Sequence, residues 1–476
     1  MAGATVGDRR HGRGYGLLLL LYVVILSDDA IRKLAAFPAA ATGLVYVLTG
    51  VLYVVALPGL MLRSRPAPRS LPWWLAMLSL WCAAEAAADH IPVAMALLGW
   101  ASYVYFVPLF YVGAELMADD RRAASALRIA AIAGGVIGAG AVASALLGQS
   151  APALLQPIVP SAGIHTFSTQ NVYLAPSIFA TSEEASEHLL IALFALVALA
   201  RLPARGLGRA ASAVLAGLII AGLLAAARRA DLYVAGAGIA GLALLGVAAR
   251  PRAGHPRTVR AAGKLGRLWP ALAIAALGSA AAFLVAGGGK LVPFLTSGQG
   301  GGDALALMFS PAHPAALAGQ GPGTSTQGAS VVGAIPVTGV GTQGRYAGYT
   351  MGGRFFLTAE GGLTKTWLEL GIVGVVLYAG VVFSVLSPVV HRLGRLDLTG
   401  RALTVLTFAL GVVFLKGHQS LDNPLMQPLF WIAAGGAWGR MRSRPPAARP
   451  PATAMPDAVG SLTASGRPPP AHAPGL

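Results

Sequence analysis

The sequence predicts an all-α protein that crosses a membrane many times, and three observations carry this prediction. First, 55% of the 476 residues are hydrophobic and only 11% are charged, whereas soluble domains carry roughly 25% charged residues. Second, apolar runs recur at about the 20-residue length that spans a bilayer as a helix. Third, the 35 Lys and Arg residues, against 18 Asp and Glu, fall mainly in short clusters between these runs. This basic surplus therefore indicates membrane topology and not nucleic-acid binding.

The apolar runs predict twelve transmembrane helices, and the polar segments between them predict turns and loops. The predicted spans cover about residues 15–27, 42–61, 71–88, 93–117, 123–147, 188–201, 210–227, 232–249, 268–286, 367–390, 402–415 and 425–438. The fifth is rich in Gly and Ala, which predicts close helix packing through small residues.

The predicted organisation has five parts. They are a cytoplasmic N-terminus (1–14), nine spans (15–286), a large external loop (287–366), three spans (367–439) and a disordered cytoplasmic tail (440–476). The tail is rich in Pro, Ala and Ser and has too little apolar content to pack. The start has no convincing signal-peptide cleavage site, so we expect an uncleaved first span.

The distribution of positive charge orients the chain. With the N-terminus in the cytoplasm, most Lys and Arg residues fall on the cytoplasmic side, including a cluster at 250–267 without any acidic residue. Under the positive-inside rule, both termini are then cytoplasmic and the large loop lies outside. The single cysteine, Cys82, excludes a disulfide within the chain and a cysteine-based metal site.

Two arginines are exceptions to this charge rule. Arg228 and Arg229 lie at the outer turn between the seventh and eighth predicted spans. Arginine near the membrane core is usually paired or functional, and its planar fork suits phosphate. One interpretation is a clamp for a diphosphate. The alternative is a pair of interfacial side chains that reach toward the headgroups, held by Asp231.

The large loop carries its own charged candidates. Arg345, Arg354, Glu360 and Lys365 could form a base beside an anion site on the outer face. The alternative for each is a solvated loop charge. Glu369 lies just inside the tenth predicted span, so we expect it to be buried and paired, in a functional or an anchoring role.

Cofactor and metal motifs are not evident. The glycine-rich Gly319–Gly323 lacks a preceding strand and the lysine of a nucleotide-binding loop, so its glycines more simply permit tight turns. No two histidines have the helical spacing of a metal site. The sequence therefore predicts neither a cofactor nor a metal.

Three stretches resemble the O-antigen ligase and O-antigen polymerase superfamily of bacterial envelope proteins. Gly319-Gln-Gly-Pro-Gly-Thr324 resembles the glycine motif early in that family's large external loop. Glu360-Gly-Gly-Leu-Thr-Lys-Thr-Trp-Leu-Glu-Leu-Gly-Ile-Val-Gly374 resembles the end of that loop and the following span, and Ala227-Arg-Arg-Ala-Asp-Leu-Tyr233 resembles its short arginine turn. A weaker likeness covers residues 165–176.

The resemblance implies a metal-independent glycosyltransferase of the inner membrane. Such enzymes take a glycan from an undecaprenyl diphosphate carrier at the outer face and pass it to a glycan, lipid or protein acceptor, with or without a chain-length regulator. It assigns the diphosphate to the arginines of the short turn, Arg228 and Arg229. From the loop candidates we add Lys365 to the diphosphate site, and we expect catalytic roles for Glu360, Arg354 and Arg345.

One departure from the family bears on the reaction. Ligases of this family usually carry a histidine, often followed by asparagine, where this chain has Glu360-Gly361. A glutamate can still act as the base, and the departure favours a polymerase over a ligase. Two other classes stay open: a transporter or flippase of lipid-linked oligosaccharide, and a non-catalytic envelope assembly protein.

Overall fold

The computed structural model is predominantly helical, as the sequence predicts. It describes residues 6–34, 44–55, 68–157, 164–167, 170–200, 202, 207–226, 228–248, 318–325, 339–343, 346–351, 354–357, 362–393, 396–416 and 426–442. The described helices are α1 (Val6–Leu34), α2 (Leu44–Val55), α3 (Leu71–Ala88), α4 (Val93–Trp100), α5 (Leu109–Ala118), α6 (Asp120–Leu147), α7 (Ser182–Leu199), α8 (Arg209–Ala226), α9 (Arg229–Ala248), α10 (Gly362–His391), α11 (Leu398–Lys416) and α12 (Met426–Arg442).

Six of the described helical segments are long and apolar enough to cross a membrane, which indicates a membrane protein. They are α3, the continuous segment Val93–Ala118, Asp120–Ser150, α8, α10 and Leu398–Leu415. The third predicted span coincides with α3, because Pro72 stands in the first turn of that helix and the Asp89–Pro92 turn follows it. The predicted ninth span, 268–286, lies outside the described residues.

Two small antiparallel sheets accompany the helices, and the sequence reasoning did not predict them. Strands β1 (Ile164–Phe167) and β2 (Gln170–Tyr173) form a hairpin in which Ile164 faces Tyr173. Strands β3 (Gly339–Gln343), β4 (Tyr346–Met351) and β5 (Arg354–Leu357) form a meander in the predicted external loop. The meander leads directly toward α10.

Three helices begin well before their predicted starts: α1 begins at Val6, within the predicted N-terminus 1–14, and α7 and α10 begin inside segments that the sequence assigns to loops. Helix α7 starts at Ser182, because Thr181 and Glu184 form a reciprocal capping box. Helix α10 starts at Gly362, within the predicted loop 287–366. Its first two turns are buried, so protein contacts replace the long apolar run that a lipid-facing helix would need.

The last helix ends later than predicted. Helix α12 continues to Arg442, so Arg440 is not part of a disordered tail. The Arg440 side chain is buried and forms ion pairs with Asp120 and Asp397. This arginine therefore joins the start of α6 and the turn before α11 to the end of α12.

Small residues allow close helix contacts, as the sequence predicts for the fifth span, which corresponds to α6. Helix α6 packs on α7 and α8, and a Cβ added to Gly138 would overlap the backbone of Leu218. Helix α12 packs on α5 in the same way, since a Cβ at Gly435 would overlap the carbonyl of Phe110. Backbones can approach this closely only where one partner lacks a side chain.

The segment between α4 and α5 departs from regular α-helix. Residues Ala101–Tyr105 form a π-helical turn, and Pro108, which has no N–H to donate, precedes the restart of the helix at Leu109. The carbonyls of Ser102 and Tyr105 accept hydrogen bonds from Gln427 and from the hydroxyl of Tyr53, respectively. Tyr103 is consequently held with its side chain buried in the bundle.

Candidate functional site

The glycine-rich segment Ala318–Ser325 lies against the first turns of α10. The Gln320 N–H donates to the carbonyl of Leu368 at 2.7 Å, and the Gly321 N–H donates to the carbonyl of Glu369 at 3.0 Å. Two stretches that are distant in sequence, and that both carry the family resemblance, are thus in direct backbone contact.

A break in α10 makes these carbonyls available. Gly371 has φ 62° and ψ −169°, a conformation that is essentially restricted to glycine. The carbonyls just before it lose their normal helical partners, and buried carbonyls require replacements. Gln320 and Gly321 supply two of these replacement donors. The indole N–H of Trp81 supplies a third and donates to the carbonyl of Leu370 at 2.9 Å.

The fit of the glycine-rich segment depends on the absence of side chains. A Cβ at Gly319 would overlap the backbone of Glu369, and a Cβ at Gly99 in α4 would overlap the backbone of Pro322 and Gly323. Gly321 and Gly323 have φ of +100° and +85°, which favour glycine as well. The tight turns agree with the expectation from the sequence, but the expected place at the outer surface does not, because residues 321–325 are buried against helices.

Glu369 is the centre of the polar contacts in this site. It is 0% exposed. Its Oε2 accepts a hydrogen bond from the Tyr103 hydroxyl at 2.9 Å, and its Oε1 accepts one from the Ser325 N–H at 2.8 Å. Lys365, one turn earlier, lies 3.7 Å from Oε2. The expectation that Glu369 is buried and paired is confirmed.

Lys365 is itself 2% exposed. Its Nζ lies 5.1 Å from the centre of the Tyr103 ring, so the ammonium has both an ionic and an aromatic neighbour. In this arrangement Lys365 faces protein. A diphosphate could reach it only if the contact with Glu369 opened.

A second buried carboxylate holds the other side of the glycine-rich segment. Glu85, on α3, is buried and accepts a hydrogen bond from the backbone of Gly319. Sequence reasoning missed Glu85 and Tyr103. An acidic residue in an apolar helix is a recognisable signal, and Glu85 carries it as clearly as Glu369. Tyr103 offers no such signal, because tyrosine is common in membrane helices.

The remaining loop candidates are only partly covered by the described residues. Arg354 is the first residue of β5, where it pairs with Met351, but its side chain lies outside the described part of the chain. Arg345 and Glu360 lie outside the described residues altogether. Glu360 stands in the connection between β5 and α10.

The predicted arginine turn separates α8 from α9. Arg228 precedes α9 and forms an ion pair with Glu183 of α7 at 2.8 Å. Asp231 accepts a hydrogen bond from Ser186. The direct ion pair of Arg228 is therefore with α7, and Asp231 also interacts electrostatically with this arginine without a direct ion pair. Arg229 begins α9, and its side chain is not described.

Lys33, near the end of α1 and beyond the predicted first span, belongs to another polar cluster. Its Nζ donates to the carbonyls of Leu154 and Ser177 at 3.0 and 3.1 Å. Burial lowers the pKa of Lys33 to about 8, although the nearby carboxylates of Asp29 and Glu184 act in the opposite direction. The sequence reasoning gave Lys33 no role beyond topology.

The arrangement at α10 is chemically an internal anchor. Two carboxylates and a set of freed carbonyls fix a loop segment between helices, and residues 321–325 of that segment are buried. No family model matches this chain, and no curated protein or solved structure matches it either.

Proposed function

We propose that this chain is a glycosyltransferase of the bacterial inner membrane. It polymerises or ligates a glycan carried on undecaprenyl diphosphate, at the outer face, in the synthesis of O-antigen, exopolysaccharide or capsule. In this proposal the chain has twelve spans, both termini are cytoplasmic, and the loop between the ninth and tenth spans faces outward. The acceptor is a glycan, a lipid or a protein.

The contact between the two stretches that carry the resemblance supports this proposal. Gly319–Thr324 and the first turns of α10 were singled out separately from the sequence, and Gln320 and Gly321 bond directly to Leu368 and Glu369. The contact fixes the start of α10, to which Glu360 and β5 are linked by a short connection. A reaction at the outer face requires such a fixed platform, because misplaced catalytic groups lose much of their effect.

The proposed chemistry is a displacement at the anomeric carbon of the donor glycan. Glu360 takes the proton of the acceptor hydroxyl, and the acceptor oxygen forms a bond to that carbon as the bond to the diphosphate oxygen breaks. Arg345 and Arg354 stabilise the charge on the departing diphosphate. Arg228, Arg229 and Lys365 hold the diphosphate, which requires the Arg228–Glu183 and Lys365–Glu369 pairs to exchange partners.

A transporter of lipid-linked oligosaccharide is the second candidate, and one observation favours it. Helix α10 is interrupted at Gly371, next to the buried Lys365 and Glu369. Interrupted membrane helices with buried charges are typical of transport sites. A non-catalytic assembly protein is the third class.

The test uses purified full-length protein in liposomes with a lipid diphosphate-linked oligosaccharide. Products of wild type are compared on gels with those of Glu360→Gln and Arg229→Ala. A ladder of longer glycans, absent in both variants, is the expected result. One transfer to an added acceptor without a ladder would identify a ligase.

Matched variants separate a catalytic effect from general damage. Glu115→Gln removes a carboxylate and Arg121→Ala removes an exposed guanidinium, both outside the proposed site. Both variants should still produce the ladder of longer glycans. If a labelled lipid crosses the bilayer without any glycan transfer, the transporter is correct. If neither occurs with several donors, the assembly protein is the better assignment.

A further inference from the structure

A long apolar groove lies between α10 and α11 and is not used by the proposed reaction. Its volume is about 580 Å³, and it extends from Gly362 at the start of α10 to His391 at its end. Phe383, Phe408 and Val412 line it and are 72%, 43% and 49% exposed. A groove of this kind, open to the side in a membrane protein, faces lipid chains.

The two ends of the groove differ in charge. Gly362, Leu363 and Thr366 line one end, and none of these side chains is ionisable. His391 lines the other end, and the exposed Arg392 follows it. In the part of the chain that the structure describes, no carboxylate pairs with Arg392. Among the described side chains that line or directly follow the groove, the basic groups that the polar end of an occupant would meet are therefore those of His391 and Arg392.

The length of α10 places that end at the level of lipid headgroups. The part of α10 that follows the break at Gly371 continues to His391, and its roughly 20 residues rise about 30 Å, the hydrocarbon thickness of a bilayer. His391 and Arg392 can thus reach the headgroup layer while the rest of the groove stays among the chains. Basic groups between membrane helices at this level suit anionic lipid headgroups.

We propose that the α10–α11 groove binds an anionic phospholipid. One acyl chain lies along Phe383, Phe408 and Val412, and the phosphate is held by Arg392 with His391 beside it. The positive charge of Arg392 at the His391 end favours an anionic lipid over a zwitterionic one. The inference does not depend on the proposed reaction.

The test uses full-length protein in phosphatidylcholine nanodiscs that contain a photoreactive probe on an acyl chain. One sample carries a phosphatidylglycerol probe and the other a phosphatidylcholine probe. We expect the phosphatidylglycerol probe to label α10 and α11 peptides preferentially. Arg392→Gln should lower this labelling about fivefold, the loss expected for one basic group at an anionic surface, without changing the phosphatidylcholine signal.

A second variant fills the groove. A Cβ at Gly411 would make only an ordinary contact with Phe430 at 3.8 Å, so Gly411→Leu should fold and reduce labelling by both probes. Its control is Gly236→Leu on α9, where a Cβ would meet nothing within 4 Å. The control for Arg392→Gln is the exposed Arg209→Gln. Both controls should label as wild type does.

Several results would overturn the proposal. Equal labelling by the two probes, or equal losses in Arg392→Gln and Arg209→Gln, would remove the selectivity for an anionic headgroup. Better competition by a polyprenyl diphosphate than by phosphatidylglycerol would assign the groove to the donor. A dimer that dissociates in Gly411→Leu would identify a second copy of the chain as the occupant.

Discussion

The hydroxyl of Tyr103 donates a hydrogen bond to Oε2 of Glu369 at 2.9 Å, joining two residues 266 positions apart in the sequence. Each lies where its helix is irregular, since Tyr103 is in the π-helical turn and Glu369 lies two residues before the break at Gly371. This contact links the two irregular helices at the point where the glycine-rich segment enters.

Removing the Tyr103 hydroxyl tests the strength of this link. Tyr103→Phe keeps the ring but takes a donor from a buried carboxylate, which should lower the free energy of unfolding by about 1.5–3 kcal/mol. Denaturant unfolding in detergent measures it. The control is Tyr15→Phe, because the buried Tyr15 hydroxyl has no hydrogen-bond partner among the described residues. Equal effects of the two variants would contradict the prediction.

The Lys365–Glu369 pair should show strong coupling. Lys365→Met leaves a buried carboxylate without its cation, and we expect a loss of about 3–5 kcal/mol in unfolding free energy. Lys365→Met combined with Glu369→Gln should cost less than the sum of the single variants, because no unpaired charge then stays buried. Additive losses in this double-mutant cycle would show that the ion pair contributes nothing.

Gly319 should tolerate no side chain. Gly319→Ala places a methyl group against the backbone of Glu369, and overpacking of this kind costs about 1–3 kcal/mol. The expected result is a lower melting temperature and faster proteolysis of the loop. Gly241→Ala on α9, where a Cβ meets nothing within 4 Å, is the control and should melt at the wild-type temperature or slightly above it.

The lowered pKa of Lys33 predicts how the stability of the protein depends on pH. Its pKa of about 8 in the folded protein lies below the ordinary lysine value of 10.5, so the unfolded state binds more protons between these two values. Stability should therefore rise with pH from about 8 to 10.5, and the burial penalty should be fully present below pH 8. In Lys33→Met, the free energy of unfolding should no longer rise with pH across this range. An unchanged slope would contradict the assignment.

Variants of the Arg228–Glu183 ion pair distinguish two roles of Arg228: binding the donor diphosphate, or a purely structural contact with α7. If Arg228 holds the donor diphosphate, Arg228→Gln should raise KM for the donor about tenfold or more, because a charge-assisted contact is lost. Glu183→Gln, which frees the arginine, should leave KM unchanged or lower it. If both variants instead reduce stability and leave KM unchanged, Arg228 is a structural partner of α7. Liposome transfer assays and melting curves distinguish these outcomes.

Hydropathy was sufficient for the helical class and for several helix positions. Helix α3 and the segment Val93–Ala118 agree with the prediction, because lipid-facing helices need long apolar runs. It failed where protein contacts replace lipid, at the buried first turns of α7 and α10. The strands β3–β5 were missed as well, since Gly-rich polar strands lack a clear apolar alternation.

The site was only partly predictable for a similar reason. Burial of Glu369 follows from the cost of a charge in an apolar helix. The partners of Glu369 cannot be predicted in this way, because Tyr103 and Ser325 come from distant segments whose contacts depend on tertiary structure. Likewise, the sequence suggested Asp231 as a partner of Arg228. Asp231 does interact electrostatically with this arginine, but the direct ion pair forms with Glu183 on another helix, which the sequence did not indicate.

The buried charges at the start of α10 have a consequence for biosynthesis. Lys365 and Glu369 would be costly in lipid as part of a lone inserted helix, and their described neighbours include Tyr103, which is synthesised much earlier. The first turns of α10 can therefore form their buried contacts only after the α4–α5 segment has entered the membrane and folded. Docking of the glycine-rich segment against α10 is therefore a late step of assembly.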